Sequence, residues 1–109
     1  MYVSVTGLKT KGVIAWLRFL MLTIPASRAA QNAEGVLLCE FKTSKGCHHT
    51  FTVWKTKQHM MAYKNSAAHL RAMRGFSKIA SGKVFGYEAD YIPSWEDALA
   101  EFDDKAREV

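Results

Sequence analysis

The sequence lacks most of the features that would name a chemistry outright. It has only two cysteines, Cys39 and Cys47, about one hairpin apart and without C-x-x-C spacing. Neither a zinc site nor a disulfide framework is written there. Both lie in strand-like apolar stretches, as free buried thiols do, which suits a reducing cytoplasm. No run of about 20 apolar residues is present. The longest, Val13–Ile24, is broken by Arg18 and Thr23 and reads as too short for a membrane span. Ala26-Ser27-Arg28-Ala29 imitates a signal-peptide cleavage site only faintly, and Met1–Leu8 reads as a strand. The expectation is a cytoplasmic protein. Internal repeats, linkers and low-complexity segments are also missing.

Acidic residues are outnumbered, giving a net charge of +5 and a pI near 9.4. The excess is scattered over Lys9/Lys11, Lys42/Lys45, Lys55/Lys57 and Arg71/Arg74, with no dense basic run. That pattern fits a solvated basic surface better than a nucleic-acid footprint. The basic-Gly-aromatic run of an RNA-recognition strand is absent from Cys47–Trp54, and Arg74-Gly75-Phe76 falls at a helix end. Nucleic acid is not an expected partner.

What is present is a core. At 49% hydrophobic over 109 residues, the chain can form one domain, 1–109, small enough that a partner often covers part of its surface. Tyr2–Leu8 is β-branched and aromatic and reads as a strand. Val13–Leu22 has helical spacing, with Trp16, Phe19, Leu20 and Ile24 on one side and Arg18 on the other. Pro25 should end or kink that helix, and Ala26–Ala33 could form a second segment. Val36–Lys42 and Cys47–Lys55 flank the turn Thr43–Gly46 as a hairpin. Lys57–Arg74 reads as one helix with Met60, Met61, Tyr63, Ala67, Ala68, Leu70 and Met73 on its apolar face, stopped by Gly75. Lys83–Tyr91 alternates as a fourth strand closed by Pro93. Ser94 then caps a last helix carrying Trp95, Leu99 and Phe102.

The order β-α-β-β-α-β plus a C-terminal helix is the split βαβ, ferredoxin-like pattern: a four-stranded antiparallel sheet with helices on one face. Its other face carries several of Val3, Val5, Phe51, Val53, Phe85 and Tyr87. Burial against a second copy, a homodimer, is the natural answer.

Thr50-Phe51-Thr52-Val53-Trp54, Met60-Met61-Ala62-Tyr63, Ser66–Met73 and the Pro93-Ser94-Trp95 junction resemble the dimeric α/β-barrel superfamily that includes antibiotic-biosynthesis monooxygenase-like proteins. Within it, the likeness is greatest to a branch similar to spheroidene monooxygenase. The resemblance runs from about Gly35 to the C-terminus and is looser before it. It implies an α+β dimeric barrel and a monooxygenase-like pocket for an aromatic or polyene small molecule, used without a cofactor or with haem. A non-catalytic haem or hydrophobic-ligand binder and a structural dimer are the alternatives. In the haem-degrading branch an Asn, a Trp and a haem-ligating His form the site. Tyr63 and Met73 stand at the Trp and His positions here, so that reaction is disfavoured.

His69 is the leading candidate for chemistry. It lies near the apolar face of its helix, where it could be a general base, an axial haem ligand, or a side chain tied to a backbone carbonyl. Tyr63 is the candidate hydrogen-bonding phenol, with Tyr87 as a substitute. Trp16, Phe19, Trp54 and Met73 are candidate walls for a flat apolar ligand, or ordinary core. His48 and His49, adjacent on a strand, point to opposite faces, so a metal site is not expected.

Overall fold

A computed structural model describes residues 1–108. The elements are β1 (Tyr2–Thr10), α1 (Gly12–Gln31), β2 (Val36–Ser44), β3 (Cys47–Trp54), α2 (Lys57–Lys64), α3 (Ala67–Ile79), β4 (Ala80–Glu88), α4 (Trp95–Lys105) and β5 (Arg107–Glu108). The strands form one antiparallel sheet in the order β2-β3-β1-β4-β5. The expected α+β ferredoxin-like fold is therefore present, with a short fifth strand added at the β4 edge.

Strand β1 runs through the centre, with Val3 opposite Val53 and Tyr87, and Val5 opposite Phe51 and Phe85. Alternation puts these six and Cys47 and His49 on one face. Tyr2, Ser4, Thr6, Leu8, His48, Thr50, Thr52 and Trp54 share the other. The first face is covered by α4, whose Ala98 and Phe102 pack on Val3, Val5, Phe51 and Val53. Gly7 makes this possible: a Cβ there would come within 2.7 Å of Phe102 and 2.9 Å of the Cys47 sulfur. Helices α1, α2 and α3 cover the second face, with Phe19 stacked on His48 and Tyr63 on Trp54.

The helices thus do not all lie on one side. The face expected to need a second copy is closed by α4, with Val3, Val5 and Val53 each 0% exposed. The turn through Pro93 and the Ser94 cap, whose hydroxyl accepts from the Asp97 N–H at 3.1 Å, carries the chain across to that side.

Three helix boundaries also differ from expectation. Helix α1 continues through Pro25 without stopping. The proline is exposed, and the carbonyl it leaves unpaired belongs to exposed Met21, where water can satisfy it. The helix thus reaches 20 residues, long and apolar enough to cross a membrane, although the apolar run within it had read as too short. The expected single helix 57–74 is broken at Asn65–Ser66, because the Ser66 hydroxyl caps a new helix by accepting from the His69 N–H at 3.3 Å. The break shifts the helical phase, leaving Met61 and Leu70 exposed. Gly75 does not stop α3. It lets α1 approach: a Cβ on it would meet Leu22 at 2.5 Å. The helix runs on to Ile79, and β4 starts at Ala80, three residues before the expected Lys83.

Candidate functional site

The capped start of α3 sets the position of His69. The cap fixes the backbone of His69, and its ring meets the Tyr63 ring edge-on at 5.1 Å between centroids. Tyr63 in turn stacks on Trp54 at 5.3 Å and 25°. Trp54 is fully buried, and its indole N–H donates to the Thr52 hydroxyl at 3.0 Å. These three aromatic side chains form a continuous stack from the sheet to the start of α3.

The expected phenol is already engaged. The Tyr63 hydroxyl donates to the Ala26 carbonyl at 3.0 Å, fastening α2 to α1. Burial, with a contribution from neighbouring Cys39, pushes Tyr63 up to about 12, so it stays protonated at neutral pH. Cys39 is itself pushed up to about 11, by burial first and Glu40 second.

His69 is different. Its Nδ1 is buried and has no hydrogen-bond partner. Burial pushes the imidazole below its ordinary 6.5; a hydrogen bond to the Lys64 backbone opposes this, and the Lys64 charge adds to it. The ring is neutral at pH 7. Nδ1 thus stands in apolar surroundings without a partner. The Thr23 hydroxyl on α1 is also buried without a partner, one helical turn from the Ser27 hydroxyl that donates to the Thr23 carbonyl.

Beside Tyr63 lies a groove of about 310 Å³, lined by Ala29, Ala33, Glu34, His59, Ala62, Tyr63, Ser66 and Ala68. Tyr63 is the one expected site residue in this lining. Phe19 and Met73 pack together with Ala72 and Phe76 in a separate cluster between α1 and α3. Trp16, on α1, is 42% exposed. The expected six residues thus divide into the Trp54–Tyr63–His69 stack, the Phe19–Met73 packing and a surface tryptophan. Sequence reasoning missed Ser66, although a serine three residues before His69 carries the cap signature, and it missed the small residues Ala29, Ala33, Ala62 and Ala68 that open the groove.

His48 and His49 do face opposite ways. His48 bonds Thr43 at 3.0 Å and stacks on Phe19, while His49 bonds the Thr6 carbonyl at 3.3 Å and meets Phe102 edge-on. No cluster of metal-ligating side chains occurs among the described residues.

No family model matches the chain, and no curated protein does. Solved structures do match in fold. A candidate antibiotic biosynthesis monooxygenase from Nitrosomonas europaea superposes with a TM-score of 0.74 at 18% identity, covering 84% of this chain and all of the other. One from Deinococcus radiodurans gives 0.75 at 16%, covering 86% and 97%. SnoaB, a cofactor-independent oxygenase from Streptomyces nogalater, gives 0.69 at 10%, covering 85% and 97%. The chain has the fold of the antibiotic biosynthesis monooxygenase-like proteins.

Proposed function

We propose that this protein is a monooxygenase-like enzyme that oxidises a flat, hydrophobic small molecule, aromatic or polyene, without a bound cofactor, using His69 as its base. The observation that carries this reading is the unpartnered, buried Nδ1 of a neutral histidine, held against the Tyr63–Trp54 stack. The cofactor-independent oxygenase among the fold neighbours supports the reaction class by analogy alone.

The substrate for such chemistry must form its own carbanion, as an activated methylene between aromatic rings does. His69 Nδ1 takes the C–H proton, and the carbanion transfers its electrons to dioxygen to give a peroxide anion. The imidazolium returns the proton to that anion. Loss of water from the hydroperoxide leaves a ketone, so one methylene and one dioxygen become one carbonyl and one water. A ligand in the groove meets the Tyr63 ring, and His69 lies at that ring's edge. Tyr63 acts here as a wall, since its proton is committed to Ala26.

The fold analogy also supports a homodimer. Phe85 and Tyr87, half-buried beside α4, and exposed Tyr91 and Ile92 offer its contact strip. Oxygen uptake with a panel of anthrone-like and polyphenolic substrates tests the activity. Uptake by the wild-type chain without added metal or flavin, falling about 10²-fold or more in His69→Gln, is the expected result. Equal uptake by the two proteins removes His69 from the reaction.

A further inference from the structure

One surface of the molecule has no role in this chemistry. The outward side of α1 presents Val13, Ile14, Leu17, Met21 and Ile24, each between 51% and 74% exposed. Helical spacing gathers these five aliphatic side chains into one stripe. The opposite side of the same helix holds the sheet through Phe19 and Ala30, with Leu22 against Gly75.

The charge around the stripe has one sign. Helices α1, α2 and α3 together contain seven Lys and Arg residues (Arg18, Arg28, Lys57, Lys64, Arg71, Arg74 and Lys78) and not one Asp or Glu. All seven are exposed. On the opposite face of the sheet, α4 carries Glu96, Asp97, Glu101, Asp103 and Asp104 against a single Lys105. The scattered basic excess of the sequence is therefore concentrated by the fold onto one layer.

We infer that the α1–α3 layer docks on an anionic lipid surface, with α1 lying in the membrane plane and its aliphatic stripe inserted among the acyl chains. Arg18, Arg28 and the basic residues of α3 would meet lipid phosphates and carboxylates. The acidic α4 layer then faces away from the membrane. A second copy meeting this stripe about a two-fold axis would set Arg18 and Arg28 against like charges, with no carboxylate on α1, α2 or α3 to offset them. A transmembrane course would strip α1 from the sheet and expose Phe19, Ala30 and the strand positions beneath them.

Vesicle co-sedimentation of the full chain tests this, using phosphatidylcholine vesicles with and without phosphatidylserine. Binding to the serine-containing vesicles alone is expected. It should weaken roughly tenfold or more in Leu17→Ser/Met21→Ser, whose altered positions are exposed, and also in Arg18→Gln/Arg28→Gln. High salt should release the protein. Absence of vesicle binding overturns the inference. So does equal binding by the Leu17→Ser/Met21→Ser protein, or a wild-type dimer that this variant abolishes. Protein that resists both high salt and alkaline carbonate is spanning the bilayer, which also overturns it.

Discussion

Beneath α4, the sheet presents Val3, Val5, Phe51 and Val53, all at 0–1% exposure, and α4 answers with Ala98 and Phe102. Beneath α1–α3 the same strands present Ser4, Thr6, Thr50 and Thr52 beside Trp54, and two polar atoms, on Thr23 and His69, stay buried without partners. An unpartnered buried polar atom costs on the order of 1–3 kcal/mol. The α4 side carries none on the strands it covers, so that side holds the fold together. The α1–α3 side accepts the cost at the place where a base would be useful.

Substitutions can set the two faces against each other. The largest effect on stability is expected from Phe51→Ala, which should cost about 3–5 kcal/mol in urea denaturation, because Phe51 is buried among Val3, Val5 and Trp95. The change should leave the geometry around His69 in place, and the ring resonances of His69 would report it. Gly7→Ala should cost about 1–3 kcal/mol by forcing Phe102 and the Cys47 sulfur away from β1. A Gly7→Ala protein as stable as wild type would mean that α4 is not seated against β1. Tyr63→Phe, on the other face, should lose only about 0.5–1.5 kcal/mol with its bond to Ala26. A larger loss would make that face a structural core like its opposite.

The smallest effect is that of pH. His69 and His49 both have folded pKa values pushed below 6.5 by burial, the Asp103 charge and the Thr6 carbonyl working against the shift at His49. On acidification the unfolded chain therefore binds protons first. Stability is complete above about pH 6.5 and falls as the pH drops from there toward the folded values. Urea midpoints at pH 7 and pH 5 should show this loss, reduced in His69→Gln and in His49→Gln. An unchanged midpoint would mean that neither ring is held neutral.

Strand positions and their two faces were legible from alternation alone, since β1 and β3 follow strict period-two patterns. Which face each helix covers was not. Trp95, Ala98 and Phe102 would serve either side, and the side is set by how the chain turns through Pro93. Pro25 and Gly75 misled for a related reason. A proline on a solvent-facing turn of a helix and a glycine at a helix crossing have the same local signature as stops, and only the tertiary setting separates them. His69 and Tyr63 were legible as a pair, and they do touch. Trp16 was not legible as a surface residue, because the outward side of α1 is as apolar as its inward side. That two-sided apolarity erases the phase signal.

The most direct test of the division between the faces is a long-range proton–nitrogen NMR titration of the His69 ring. The predicted result is a neutral imidazole at pH 7 with Nδ1 unprotonated, a pKa below 6.5, and a shift of the Nδ1 signal when an anthrone-like ligand is added. An imidazolium at pH 7, or a protonated Nδ1 unmoved by ligand, would contradict it and leave both faces of the sheet as structure alone.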